Sequence, residues 1–140
     1  MPATKPTIAI IEDEATLLEM YQLKFEVSGF TFLGAATGEA GLEMLKNVTP
    51  DLIFVDLVLE NKAAGGVMDG FAVIRRLRQD AKNKDVKICA LTNYDQDKNV
   101  TDAYAAGADD YLVKADMTPG ELVSKARDIL AGKKVGLQKE

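Results

Sequence analysis

Residues 51–60 read DLIFVDLVLE: a short apolar run, LIFV, closes on the carboxylate of Asp56 and the chain then returns to apolar sequence. Consecutive branched and aromatic residues bounded by acids fit a strand buried on both faces, not an alternating half-wet one. A charge at the end of such a strand is costly to bury unless something pairs with it. Asp56 therefore needs a partner, and the partner has to come from another part of the chain.

Four further runs of strand length occur, PTIAII (6–11), FTFLGA (30–35), VKICAL (86–91) and DYLV (110–113). Between them the apolar residues take helical spacing. Leu17, Leu18, Tyr21 and Phe25 recur every three to four positions within 14–27, and Leu122, Ala126, Ile129 and Leu130 do so near the end. The last helix has a readable start in TPGE, with Thr118 as N-cap, Pro119 at the first helical position and Glu121 closing a capping box; Gly132 is its expected stop. Thr37 offers a similar cap to GEAGLEML, 38–45. Strands alternating with helices predict βα units, hence a parallel sheet covered on both faces with right-handed crossovers. Strands starting near 7, 30, 52, 86 and 110 leave gaps of about 23, 22, 34 and 24 residues. The long third gap places an extended loop at ENKAAGGVM, 60–68, directly after Asp56. The tail KKVGLQKE, 133–140, is polar and is expected to fray.

With 140 residues, 47% hydrophobic and 28% charged, the chain suits one globular domain with a real core. No stretch approaches ~18 consecutive apolar residues and MPATKP opens no signal-peptide pattern, so the expectation is a soluble, untargeted, cytoplasmic chain without membrane contact. A formal net charge of −5 argues against direct nucleic-acid binding, which needs basic surfaces. The single cysteine, Cys89 in KICAL, cannot form an internal disulfide and reads as a small buried thiol. The chain has no histidine, which removes His-based triads, HExxH zinc sites and imidazole general bases. Any metal should then be a hard cation held by oxygen.

In open parallel α/β sheets, ligands bind beyond the carboxyl ends of the strands. There the first strand contributes Glu12 and Asp13, the third Asp56, the fourth Thr92 and the fifth Lys114. Three converging carboxylates repel one another unless a cation sits among them. Mg2+ suits this need, being content with one or two carboxylates, several waters and a phosphate oxygen. A phosphate calls for a nucleophile, and Asp56 is the candidate for attack on phosphorus to give an acyl phosphate. Thr92 can donate its hydroxyl to one phosphoryl oxygen while Lys114 supplies positive charge to another.

Taken together, IIEDE (10–14), Asp56 in LIFVDLVL, ALTN (90–93) and GADDYLVK (107–114) resemble the receiver domain of two-component response regulators. The resemblance covers 6–132, leaving a leader at 1–5 and a tail at 133–140. It implies a flavodoxin-like (βα)5 three-layer sandwich with strand order 2-1-3-4-5. It implies too that Asp56 takes a phosphoryl group from a phosphohistidine on a histidine kinase or histidine phosphotransfer protein. Carried over by position, Asp13 resembles the direct Mg2+ ligand, Glu12 a ligand acting partly through water, and Val58 a donor through its backbone carbonyl. Thr92 resembles the switch hydroxyl and Tyr111 the switch aromatic. The surface from helix 4 through strand 5 to helix 5 would carry the output to a downstream protein and support a phosphorylation-linked homodimer. Helix 4, roughly 95–106, is Ala-rich with only Val100 and Tyr104 as larger apolar residues, so it buries little and can shift cheaply.

Two features depart from the family pattern. Glu60 stands where a proline is usual, and MDG arrives late, at 68–70. Lys114-Ala115 replaces the usual Lys-Pro, and a trans peptide is predicted there because a cis bond to a non-proline costs about 2.5–4 kcal/mol.

Plainer readings stand beside these. Glu12 and Asp13 suit the start of the first helix, whose positive end favours carboxylates. Thr92 has a reading as a turn residue, Lys114 as a solvated lysine and Tyr111 as ordinary strand packing. Arg75, Arg76 and Arg78 with Lys82 and Lys84 read as a solvated helix face, with a docking patch as the other choice; Asp109 and Asp110 read as turn and strand-entry residues. At the level of function the pattern favours a phosphorylation-controlled signalling receiver that carries out only its own phosphotransfer and dephosphorylation, not a turnover enzyme. One alternative is a phosphatase or phosphotransferase working through Asp56, which lacks a second carboxylate two residues on because Val58 is there. The other is a degenerate receiver acting as a constitutive interaction module. The short tail favours a stand-alone receiver over one excised from a longer regulator.

Overall fold

Each of the five apolar runs forms a strand in the computed structural model, which describes residues 4–59 and 69–138. These are β1 (Thr7–Ile11), β2 (Thr31–Ala35), β3 (Leu52–Val55), β4 (Lys87–Thr92) and β5 (Asp110–Val113). The helices between and after them are α1 (Ala15–Val27), α2 (Gly38–Met44), α3 (Gly70–Gln79), α4 (Asp97–Ala106) and α5 (Pro119–Leu130). All strand pairs are parallel and the order is β2-β1-β3-β4-β5, the flavodoxin-like arrangement. The expected boundaries hold to within a residue or two, as helix and strand ends usually do. The extended loop expected at 60–68, with Glu60 and Met68, lies outside the described residues.

Side-chain alternation along each strand divides the core into two layers. Ala9, Ile11, Ile53, Val55, Ile88, Ala90 and Tyr111 point to the face covered by α2, α3 and α4. Ile8, Ile10, Leu52, Phe54, Cys89, Leu91 and Leu112 point to the face covered by α1 and α5. The second layer is the aromatic one: Phe25 of α1 meets Phe30 edge-on at 5.4 Å between centroids and lies 6.4 Å from Phe54. Full burial of such a side chain stabilises by roughly 1.5–3 kcal/mol. Thr37 Oγ1 accepts from the Ala40 amide, and Thr118 and Glu121 close the expected capping box. Cys89 is fully buried, and its burial pushes the thiol well up, as suits a structural residue.

Three expectations need correction. The basic run on α3 is not uniformly solvated. Arg75 and Arg76 are exposed, but Arg78 folds back into the structure. Its guanidinium donates to the carbonyls of Gly107 (3.0 and 2.8 Å), Asn83 (2.9 Å) and Val86 (2.9 Å) and pairs with Asp109 at 2.7 Å. Lys82 likewise donates to the Leu45 carbonyl at 2.6 Å, near the end of α2. Side-chain hydrogen bonds of this kind satisfy carbonyls that a connection cannot pair by itself.

Asp109 and Asp110 do more than open β5. Asp109 receives Arg78 and the Ile88 amide, and Asp110, 1% exposed, gathers backbone amides. The described part of the tail is not frayed. Residues 133–138 fold back over β5, where the Leu137 amide donates to the Tyr111 carbonyl at 2.9 Å. Polarity suggested solvation, but the segment is held by main-chain bonds that leave no mark on composition.

Arg78→Ala should lower the free energy of unfolding by about 2–4 kcal/mol, because several buried acceptors lose their donor at once. Arg78→Lys should recover less than half of that, since a point charge cannot reproduce the fork. Arg75→Ala and Arg76→Ala should stay within about 0.5 kcal/mol in the same urea titrations. Equal losses at all three arginines would contradict this assignment.

Candidate functional site

Parallel pairing carries the ends of β1, β3, β4 and β5 to one rim. Ile11 is in register with Val55, Val55 with Ala90, and Thr92 with Val113, so the residues that follow meet there. The Glu12 amide donates to the Ala35 carbonyl and the Asp56 amide to the Ile11 carbonyl, which continues the ladder one step beyond the strands.

The partner that Asp56 requires is Lys114. Its ammonium lies 2.8 Å from Asp56 Oδ2 and 2.7 Å from Glu12 Oε1, with side-chain exposures of 13% for Lys114, 4% for Asp56 and 1% for Glu12. The other Asp56 oxygen accepts from the Val58 amide at 3.0 Å, an Asx-type turn that fixes the carboxylate plane. Asp13, half-buried, completes the set. One ligand atom each from Glu12, Asp13 and Asp56 lies within 4.8 Å of the others. Three hard oxygen donors with neither thiol nor imidazole fit a hard divalent cation and exclude the usual zinc geometry. Glu12 Oε2 also accepts from the Glu14 amide at 3.2 Å, so the helix-start reading of this acid is partly right as well.

The electrostatics of the rim follow from burial. Glu12 is raised from its ordinary 4.5 to about 8, first by desolvation and then by the negative charge of Asp56, with Lys114 pulling the other way. Burial alone would lower Lys114, but hydrogen bonds to Asp56 and Glu12 outweigh it and raise the ammonium above its ordinary value. The lysine is therefore a permanent cation at the rim.

Thr92 ends β4 fully buried, with its Oγ1 accepting from the Tyr94 amide at 3.3 Å. Among the described residues no hydrogen bond joins it to Asp56. Tyr111 is fully buried, and its hydroxyl donates to the Tyr94 carbonyl at 2.6 Å. Desolvation and the nearby Asp95 raise this phenol to about 12, so it stays a donor at all ordinary pH values. Tyr94 thus joins Thr92 to Tyr111 through its own backbone. Lys114-Ala115 is trans, since no cis peptide occurs among the described residues.

Two site residues were given no role by the sequence. Asn93 Oδ1 accepts from the Ala115 amide at 2.8 Å, tying the β4–α4 turn to the β5–α5 turn. Its only signal was its place beside Thr92. Gly70 opens α3 so close to the rim that a Cβ there would fall 2.0 Å from the Asp56 carbonyl oxygen. Its place at the end of MDG noted the residue but not the contact.

A family model described as the response regulator receiver domain matches residues 8–127. The DNA-binding dual master transcriptional regulator RpaA of Synechocystis sp. is 31% identical over 125 residues, 89% of this chain and 49% of RpaA. The chain spans about half the length of the curated relatives it matches. A putative response regulator of Chloroflexus aurantiacus superposes with a TM-score of 0.77 at 31% identity, covering 91% of this chain and 99% of that one. The chemotaxis response regulator CheY4 of Vibrio cholerae, at 23% identity and a TM-score of 0.79, shares the fold over 91% of this chain and 99% of its own.

The folded chain keeps a proton on Glu12 up to about pH 8, whereas the unfolded chain releases it near 4.5. Between these values the folded state binds the extra proton, so this group makes stability fall as pH rises. In chelator-treated protein, wild type should therefore lose stability relative to Glu12→Gln as pH is raised through that window, followed by urea unfolding. A difference between the two that stays flat or reverses would remove the buried, protonated Glu12.

Proposed function

The chain belongs to the response regulator receiver family, and we propose on that footing that Asp56 is its phosphoacceptor, charged by a phosphohistidine on a histidine kinase or histidine phosphotransfer protein. The observation that carries this reading is the Lys114 ammonium set between Glu12 and Asp56, with Asp13 beside them, at the rim where three separate strands end. Such a cluster suits the transfer of a highly charged group and is a weak source of net stability.

In the transfer an Asp56 carboxylate oxygen bonds to phosphorus while the phosphorus–nitrogen bond breaks, and the electron pair leaves with the partner's imidazole. Mg2+, held by Glu12, Asp13 and Asp56 and by the Val58 carbonyl, would neutralise charge on the phosphoryl oxygens. Lys114 already stands within hydrogen-bond reach of Asp56 and follows the charge onto the phosphoryl group. The Val58 amide holds the Asp56 carboxylate plane during attack.

Phosphorylation adds about −1.5 to −2 of charge beside Thr92. Its hydroxyl then turns to a phosphoryl oxygen and gives up the Tyr94 amide. Tyr94 also holds the Tyr111 hydroxyl, so the β4–α4 turn and the aromatic respond together. The α4–β5–α5 surface reports the change to a downstream protein or to a second phosphorylated copy. These events belong to a cytoplasmic signalling chain, and the net charge of −5 argues against direct contact with DNA.

Incubation with Mg2+ and acetyl phosphate should add one phosphoryl group to the intact chain, seen by mass, with none on Asp56→Asn. Chelation of Mg2+ should reduce the initial rate of labelling by at least about tenfold, equivalent to roughly 1.4 kcal/mol of transition-state stabilisation. Folded wild-type protein that takes up no label, or Asp56→Asn that takes up as much, would overturn the assignment.

A further inference from the structure

Beyond α5 the chain turns at Gly132, where φ is 90°, and runs back along the free side of β5. From Lys134 to Gln138 it is held largely by its backbone. The Val135 amide donates to Asp110 Oδ2 at 2.8 Å and the Gly136 amide to Asp110 Oδ1 at 2.9 Å. The Leu137 amide donates to the Tyr111 carbonyl at 2.9 Å, and the Leu137 carbonyl accepts from the Tyr104 hydroxyl at 2.7 Å. Lys134 Nζ adds a bond to the Asp109 carbonyl at 2.6 Å, and Gln138 Nε2 one to Asp110 Oδ1 at 3.4 Å.

Three features of this edge bear on what it can hold. First, β5 is an edge strand, whose outward backbone groups seek a partner. Second, a buried carboxylate needs donors, and beyond the Tyr111 amide Asp110 finds them in two successive amides of the segment. Third, the approach is too close for a side chain: a Cβ at Gly136 would lie 1.8 Å from the Tyr111 carbonyl oxygen. The site therefore fits a stretch that bends at a central glycine, with the preceding Val135 packed against the α1–α5 core layer. A groove of about 380 Å³ lies between the strap and Val113, Met117 and Lys125.

We infer that the outer edge of β5, between Asp110 and Tyr104, is a docking site for glycine-centred peptides of the Val-Gly-Leu kind that bend across it, which residues 134–138 occupy in cis as a displaceable strap. The consequence for signalling rests on the function proposed above: a partner reaching the α4–β5–α5 surface at this edge has to displace the strap. The docking site itself does not require phosphorylation, so the two readings fail separately.

The test uses the full chain, unphosphorylated, and a fluorescein-labelled KKVGLQ peptide followed by anisotropy, with amide exchange read at Val135, Gly136 and Leu137. Wild type should protect these amides and bind the peptide weakly, because its own strap competes at high effective concentration. Gly136→Val should expose the amides and bind the peptide at least about tenfold more tightly. The same peptide with valine for glycine should bind neither protein. Tyr104→Phe, which removes one hydroxyl, should speed exchange at Leu137 several-fold and serves if Gly136→Val does not fold. Unprotected strap amides in wild type, a released strap without gain in peptide binding, or unchanged exchange in Tyr104→Phe would each overturn the inference.

Discussion

One ammonium between two buried carboxylates holds the rim together. Lys114 reaches across 102 residues of sequence to Glu12 and across 58 to Asp56, so a single side chain ties the ends of β1, β3 and β5. Burial of such a cluster is a weak source of net stability, since desolvation offsets most of the Coulombic gain. Removing one member is another matter, because it leaves an uncompensated charge in a poorly hydrated place. The cluster also contains more acid than base. Burial first, and then the Asp56 charge, is why Glu12 holds its proton to about pH 8, and the excess of acid leaves the rim receptive to added positive charge.

A second line of contacts runs outward from the rim. Thr92 receives the Tyr94 amide, Tyr94 receives the Tyr111 hydroxyl, and Tyr111 receives the Leu137 amide. Each link is a backbone group on one side, so a shift of the β4–α4 turn cannot be absorbed by a rotating side chain alone. The helix beside this line is lightly anchored: α4 buries Val100, Ala103 and Ala106, two of which are alanines. Sliding it exposes little apolar area, so its position costs little to change. Rigid contacts next to a loosely held helix are what a two-position element requires.

The sheet was legible because its strands are fully buried and therefore nearly all apolar, which is a strong local signal. Asp56 and Lys114 were legible for the opposite reason, as single charges that interrupt apolar sequence. Glu12 and Asp13 were ambiguous one at a time and gained meaning only from the parallel order. Arg78 was hidden among neighbours of its own kind: Arg75 and Arg76 are solvated, and only two or three positions of helix separate them from a residue that holds several carbonyl partners and a carboxylate. The strap was illegible in principle. Its polar sequence suggests water, whereas its attachment is made by amides that every residue but proline possesses. Asp110 carried the only hint, as an acid at the start of a buried strand, and a turn explained it equally well.

The replacement of the usual proline by Ala115 fits the same logic. A proline after Lys114 would stiffen the turn through its ring and would offer no amide hydrogen. Ala115 offers one, and Asn93 accepts it at 2.8 Å. The turn that carries Lys114, which pairs with Asp56, is therefore fastened to the turn that follows Thr92. A hydrogen bond of this exposed kind is worth only about 0.5–1.5 kcal/mol. It can break when either turn moves, whereas a ring cannot be released, so the exchange trades permanent stiffness for a coupling that yields. Lys114 and the end of β4 thus sit on one fastened pair of turns, and motion of either is felt by the other.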